Sequence, residues 1–316
     1  MPTAISGLHH VTAIASDPQR NLDFYTTVLG LRFVKRTVNI DDPGSYHFYF
    51  GDDTGNPGTI LTFFLWPGAH RGSKGAGEVH QTTFSVPALS LEYWERRLRE
   101  SSFATQRESR FGTDVLRFDD PDGMTIELAG DASAEAKHAP RYASVPAEHS
   151  IRGFSAVTLV ERSLERTAAL LNLMGFRQVG QEDSRIRFQA QGDSLGNIID
   201  VVVSPDARQG RSGAGTVHHI AFRASDDSAQ LEWHQELSKR VSVTPVQDRT
   251  YFHSIYFREP GGVLFELATD PPGSLIDETV EALGEALRLP AWLERQHEQI
   301  AHSLPAISLH KSFAAL

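Results

Sequence analysis

A single pattern recurs four times along these 316 residues, and it constrains the fold more than any other feature. Each copy opens with a short β-rich run, breaks at polar residues, and continues as a stretch with apolar residues at helical spacing. It closes with an aromatic-rich strand, a Gly- or Pro-bearing turn and an apolar strand. The opening parts are VTAIASDPQRNLDFYTTVLGLRFV (11–34), TTFSVPALSLEYWERRLRESSFAT (82–105), VTLVERSLERTAALLNLMGFRQV (157–179) and IAFRASDDSAQLEWHQELSKRVSV (220–243). The closing parts are YHFYFGDDTGNPGTILTFF, VLRFDDPDGMTIEL, IRFQAQGDSLGNIIDVVV and SIYFREPGGVLFEL. Leu22, Phe24, Tyr25, Val28 and Leu29 mark the helical stripe of the first copy, and Gly58, Gly123, Gly196 and Gly262 align at the turns. The pattern predicts an α+β chain of four tandem βαβββ modules that form two paired-module, barrel-like sheets. Residues 1–130 would hold modules one and two, 131–150 a linker rich in Ala, Ser, Pro and charge, and 151–269 modules three and four. Residues 270–316, where the pattern stops, would form a C-terminal helical extension.

Superposing the four copies isolates the chemistry. The position of His10 falls on Gln81, Ala156 and His219, and the position of Glu266 falls on Thr62, Glu127 and Asp200. Modules one and four therefore supply His10, His219 and Glu266, two imidazoles and one carboxylate. That is the facial triad of non-haem Fe(II) oxygenases, which leaves open positions for substrate and dioxygen. Fe(II) is the expected ion, and Mn(II) accepts the same set. Modules two and three offer no histidine at these positions, and their combination looks vestigial. A lone strand histidine is more often packed in a core; the conjunction of all three residues carries the assignment. Histidine doublets stand at His9–His10 and His218–His219, and strand alternation predicts that only one of each pair faces a given cavity. Since His10 and Glu266 lie far apart in sequence, sharing an ion requires module one to pair with module four, and module two with module three.

Composition narrows the alternatives. Hydrophobic residues at 40% and charged residues at 22% are a globular balance, and 316 residues suffice for two cores. The net charge of −10, from 40 acidic against 30 basic side chains, repels phosphate backbones and excludes nucleic acid as the expected partner. With no cysteine, thiolate metal sites and disulfides are excluded. The amino-terminal apolar run is short and interrupted by His9 and His10, unlike a signal peptide, and no stretch approaches the length of a membrane helix. A cytoplasmic protein without a membrane partner is expected; a homo-oligomer is compatible with the sequence.

The segments GLHHVTAI, GTVHHIAF and GGVLFELATDPPG resemble the vicinal oxygen chelate superfamily, which joins glyoxalases, bleomycin-resistance proteins and extradiol dioxygenases, over about residues 6–269. The runs LGLRFVKRTVN, YHFYFGDDTGNPGT and DRTYFHSIYFREPGG are most similar to the ring-cleaving dioxygenases that open hydroquinones. The resemblance implies an Fe(II) site at His10, His219 and Glu266, a small aromatic substrate and O2 as second reactant. It further implies catalytic roles for Tyr256, Arg249 and His218, and substrate contacts from Thr12 and His9. The base histidine of catechol-cleaving relatives is absent from the neighbourhood of Gln247, Asp248 and Arg249, which favours hydroquinone-type cleavage.

The expected reaction inserts O2 into a dihydroxylated ring. Tyr256 would donate a hydrogen bond to an oxygen, Arg249 would stabilise anionic charge and His218 would move a proton. For His47 and His253 strand packing is the plainer reading and pocket lining the alternative, and Glu278, Glu281 and Glu285 read as a solvated helix face. One rival function is a glyoxalase-like lyase or isomerase, which would need a carboxylate at Thr62. The other is a non-enzymatic small-molecule-binding member, which would not need the triad.

Overall fold

The computed structural model describes residues 2–309. Module one comprises β1 (Leu8–Ala15), α1 (Pro18–Asp23), β2 (Arg32–Asn39), β3 (Asp42–Gly51) and β4 (Ile60–Leu65). Module two comprises β5 (Glu78–Pro87), α2 (Leu91–Glu100), β6 (Gln106–Arg110), β7 (Thr113–Asp119) and β8 (Thr125–Asp131). Module three comprises β9 (Gly153–Glu161), α3 (Glu165–Met174), β10 (Arg177–Glu182), β11 (Arg185–Gln189) and β12 (Ile198–Val203). Module four comprises β13 (Val217–Ala224), α4 (Asp227–Leu237), β14 (Gln247–Asp248), β15 (Phe252–Arg258) and β16 (Leu264–Pro272). A last helix, α5 (His297–Ser303), lies near the end of the chain.

Two eight-stranded sheets result. The first runs β14-β15-β16-β13-β1-β4-β3-β2 and the second β10-β11-β12-β9-β5-β8-β7-β6. Modules one and four therefore share one sheet and modules two and three the other, as a common ion at His10 and Glu266 requires. Each sheet is joined at its centre by antiparallel opening strands, β1 with β13 and β5 with β9. Within each module the opening strand pairs in parallel with the closing strand, since a helix and two further strands separate them. The helices bury their apolar stripes on the outer faces: Leu22, Trp94 and Leu98, Leu170 and Leu171, and Trp233 and Leu237 are nearly inaccessible. Sheet curvature leaves a concave face in each half.

The register confirms the alignment of the repeats. Thr12 stands beside Thr62, Thr83 beside Glu127, Thr158 beside Asp200 and Ala221 beside Glu266, one equivalent pair per module. Gly58, Gly123, Gly196 and Gly262 all have positive φ, 88°, 91°, 64° and 118°, so the turn places a left-handed residue four positions before each of these sites. The register also slips at the same point in every opening strand. One extra residue is inserted at His9, His80, Ser155 and His218, each just before the position aligned with His10.

The connections are held down by specific contacts. The link between modules one and two pairs with that between modules three and four, through bridges Arg71 to Ala214, Ser73 to Arg211 and Ala76 to Gln209. Residues 138–142 fold onto module one, where Asp53 accepts from Arg141 N and Tyr142 N and meets His138 Nε2 at 2.9 Å. After β16 the chain crosses β2, and Arg36 bridges to Leu287 along that sheet edge. Here Glu278 departs from the expected solvated helix face: residues 277–285 form turns, and Glu278 is buried beside the fully buried Lys35. The carboxylate is needed because Lys35 sits under the strap with no access to water; Glu281 and Glu285 are exposed. Among the described residues no helix is long and apolar enough to cross a membrane.

Candidate metal centre

His10 on β1, His219 on β13 and Glu266 on β16 meet at the centre of the first sheet, all three buried. His10 Nε2 lies 3.3 Å from His219 Nε2 and 3.3 Å from Glu266 Oε2, and His219 Nε2 lies 2.9 Å from Glu266 Oε2. Despite these short separations Glu266 Oε2 makes no hydrogen bond. Three buried donor atoms within 3.3 Å of one another, one of them a carboxylate oxygen without a hydrogen bond, form a set that an ion can satisfy. Three donors about 2.1 Å from an ion on adjacent octahedral corners stand about 3.0 Å apart, which the observed edges match. The residues present thus fit a divalent cation. Burial pushes the Glu266 carboxyl up, but His10 and His219 outweigh it and hold it well below the ordinary carboxylate range. Its other oxygen accepts a hydrogen bond from Ser254 Oγ, one strand away.

The strand bulges explain how the flanking histidines are used. His9 Nδ1 lies 2.9 Å from His10 Nδ1, and His218 Nδ1 lies 2.7 Å from His219 Nδ1. Each candidate ligand is therefore braced on its far nitrogen by the residue before it, twice, by local symmetry. Strict alternation would have sent the two members of each doublet to opposite faces. The extra residue relaxes that rule, and His218 lines the same cavity as His219. His9 corrects the sequence expectation in the other direction. It is 2% exposed, covered by Phe252 at 5.1 Å between ring centres, and does not line the cavity. Burial, then His10, pulls the His9 imidazole well below its ordinary value; burial, then His219, brings His218 down to about 3.

His10 and His219 line a cavity of about 540 Å³, and Glu266 lies against both. Thr12, Tyr256, Arg249 and His218 all line it, as do His47, Tyr49, Phe64, Trp66 and Leu264. Arg249 Nε donates to Tyr256 Oη at 3.1 Å, and Arg249 Nη1 reaches Asp41 Oδ2 at 3.3 Å. Burial opposes the Arg249 charge, but Tyr256 and Asp41 outweigh it. Burial, reinforced by Glu266, pushes the Tyr256 phenol far above its ordinary value, so it keeps its proton.

Thr62, at the place equivalent to Glu266, carries no charge. Its hydroxyl lies 2.8 Å from Thr12 Oγ1 and 2.9 Å from His47 Nε2. His47, expected from sequence to pack within its strand, is a cavity residue. Burial, then His10 and His219, holds its imidazole well below the ordinary value. The signal was available: His47 and Tyr49 alternate on β3, and Tyr49 pairs with Thr62 as Tyr256 pairs with Glu266. His253, by contrast, lies against Asp227 away from the cavity.

In the second sheet the corresponding place holds guanidinium groups. Arg187 Nε and Nη2 donate to both oxygens of Asp200 at 2.8 Å, Arg185 Nη1 donates to Asp200 Oδ2 at 3.2 Å, and Arg110 pairs with Glu127. Sequence superposition marked this combination as vestigial without identifying the arginines. The alternation of Arg185 and Arg187 around Ile186 placed both on the face of Asp200.

Comparison with known proteins shows what the whole chain is similar to. The family model described as Glyoxalase/Bleomycin resistance protein/Dioxygenase superfamily matches residues 7–128 and 135–267. The chain is 47% identical over 300 residues to a Bacillus subtilis protein named "Putative ring-cleaving dioxygenase MhqO", covering 94% of this chain and 95% of that one. It is 31% identical over 316 residues to the chlorohydroquinone/hydroquinone 1,2-dioxygenase of Sphingobium indicum, covering 96% and 97% of the two chains. The crystal structure of a "putative dioxygenase" from Bacillus subtilis superposes with a TM-score of 0.93 at 45% identity, covering 98% of this chain and 99% of that one.

Proposed function

Because this chain belongs to the glyoxalase/bleomycin resistance protein/dioxygenase superfamily, we propose that it is a ring-cleaving dioxygenase acting on hydroquinone-type rings, with Fe(II) held by His10, His219 and Glu266. The observation that carries the reading is the gathering of three buried donor atoms, 2.9–3.3 Å apart, at the wall of the cavity that His10 and His219 line. A bound Fe(II) supplies a Lewis acid that lowers the pKa of a coordinated phenol and holds both reactants together.

The chain's own groups then have separable tasks. His9 and His218 accept from the Nδ1–H of His10 and His219, which fixes the tautomer that offers Nε2 inward. Phe64, Trp66, Phe252 and Leu264 give the ring an apolar slot that excludes water. Tyr256, whose oxygen already accepts from Arg249, turns its own proton toward a substrate oxygen. Arg249 offsets anionic charge that develops beside it. His218, neutral and facing the cavity, keeps its proton on Nε2 because Nδ1 accepts from His219, and offers that N–H to a substrate oxygen. Thr12 keeps its hydroxyl on Thr62 and limits the approach of the ring.

A lyase or isomerase of the glyoxalase kind is disfavoured by Thr62, which stands where a second carboxylate would be needed and whose hydroxyl is engaged by Thr12 and His47. The decisive experiment is oxygen-electrode measurement of uptake with hydroquinone after Fe(II) reconstitution. Uptake in equal proportion to substrate consumed is expected. A protein with a full iron complement that consumes no oxygen with any dihydroxylated ring overturns the proposal.

A further inference from the structure

We propose that Tyr49 and His47 are positioning residues that act through Thr62, ordering one line of protons so that the Thr12 hydroxyl donates into the cavity. The proposal deepens the dioxygenase reading and rests on it for what meets that hydroxyl, an oxygen of the ring. The line crosses three neighbouring strands. Tyr49 Oη lies 3.3 Å from His47 Nδ1, His47 Nε2 lies 2.9 Å from Thr62 Oγ1, and Thr62 Oγ1 lies 2.8 Å from Thr12 Oγ1. Among the described residues, these four side chains make no other hydrogen bond. Thr12, His47 and Tyr49 line the cavity, and the inaccessible Thr62 joins them. His47 and Tyr49 alternate onto one face of β3, Tyr49 pairs with Thr62 on β4, and Thr62 pairs with Thr12 on β1.

Module four repeats the arrangement with different chemistry. Ser254, Tyr256, Glu266 and Ala221 hold the places of His47, Tyr49, Thr62 and Thr12. There the Ser254 hydroxyl donates to Glu266; in module one the imidazole meets Thr62 at the same place. Ala221 has no hydroxyl, so only module one carries the line through to its opening strand.

A neutral imidazole carries one N–H, so only two proton orders satisfy the line. Burial, then His10 and His219, suppresses the His47 charge, and burial, reinforced by Glu266, keeps the proton on the Tyr49 phenol. In the first order Tyr49 donates to Nδ1, Nε2–H donates to Thr62, and Thr62 donates to Thr12. The Thr12 proton is then left for the cavity. In the reverse order Thr12 donates to Thr62, Thr62 to Nε2, and Nδ1–H to Tyr49, whose own proton is left over. A phenol is a stronger donor and a weaker acceptor than an aliphatic hydroxyl. The imidazole nitrogen therefore takes its proton from Tyr49 and gives its other one to Thr62. The first order is the stable one. Bonds in series polarise in one sense, which strengthens the donor at the Thr12 end.

Nitrogen NMR of the metal-free, full-length chain, isotopically labelled in histidine, tests the order without any turnover. The His47 signals, assigned by their loss in His47→Gln, should show an unprotonated Nδ1 and a protonated Nε2. A protonated Nδ1 overturns the proposal. Kinetics of the iron-loaded chain test the consequence. Thr12→Val and Tyr49→Phe should each lower kcat for oxygen uptake about three- to tenfold, with iron content unchanged. The double variant should lose no more than Thr12→Val alone, because both changes act on one proton. Should Tyr49→Phe fail to fold, His47→Phe carries the same expectation. Losses that multiply overturn the proposal even where hydroquinone is cleaved. A native chain that takes up no oxygen removes the dioxygenase reading instead, and the His47 tautomer then decides the proton order by itself.

Discussion

Thr62 and Glu266 occupy the same place in modules one and four, each on the closing strand beside the centre of one sheet, and only Glu266 is charged. That difference leaves three candidate donors, His10, His219 and Glu266, at these places. The hydroxyl of Thr62 is tied to Thr12 and His47, so the neighbouring face of the site is polar and neutral.

Replacing Thr62 by Glu would place a second carboxylate next to the other three donors. Metal retention under chelator should rise, and oxygen uptake should fall about tenfold or more as an open position and one unit of positive charge are lost. Unchanged uptake in a variant that holds iron would show that this face is not used.

Removal of one donor tests the site from the opposite side. Glu266→Gln keeps the shape but removes the charge that His10 and His219 stabilise. Iron content after reconstitution, measured by plasma emission spectrometry, should drop to a small fraction of that of the native chain, and activity with it. Full iron occupancy in this variant is incompatible with the assigned ligands.

Tyr256→Phe deletes one oxygen at the cavity wall and leaves the ring that meets His219 edge-on at 5.7 Å. We expect kcat to fall about ten- to a hundredfold with little change in metal content. A drop confined to KM would recast Tyr256 as a binding group.

Stability should depend on pH through Glu161. Burial, then the neighbouring Glu259, raises this carboxyl to about 8. A folded-state pKa above the unfolded value means that the native chain holds the proton more tightly. Its contribution is complete below the unfolded value, near 4.5, and is lost as pH rises toward 8. Glu161→Gln removes that loss. The variant should melt above the native chain by about 2–4 °C at pH 8 and converge with it near pH 5. Parallel melting curves across that interval would rule out the shared proton.

The strap after β16 rests on a buried ion pair. Lys35 is inaccessible and 2.6 Å from Glu278, with Asp277 also in contact. Lys35→Met should cost roughly 3 kcal/mol, the low end for a broken buried pair, by leaving Glu278 with Arg288 Nε at 3.5 Å as its remaining cation. Lys35→Met combined with Glu278→Leu should recover much of it. Denaturant melts of the two single and one double variant measure the coupling.

The site was partly legible before any coordinates. Because the module is repeated, positions could be compared within one chain, and His10, His219 and Glu266 stood out against Gln81, Ala156, Thr62, Glu127 and Asp200. What escaped was decided by one inserted residue per opening strand. Alternation assigns faces only while the pleat is regular, and the bulge at His218 turned that histidine into the cavity beside His219. At His9 the same bulge occurs, yet Phe252, distant in sequence, closes over the ring.

Sequence periodicity alone determined the module, its four copies and the residue types at each equivalent place, because strand and helix spacing are local properties of the backbone. Tertiary structure alone decided that Phe252 closes over His9, that Lys35 draws Glu278 inward, and that arginines gather on Glu127 and Asp200 in the second sheet. Those outcomes depend on contacts between segments as much as about 240 residues apart, such as Lys35 with Glu278, where burial sets the energy and no local pattern reports it.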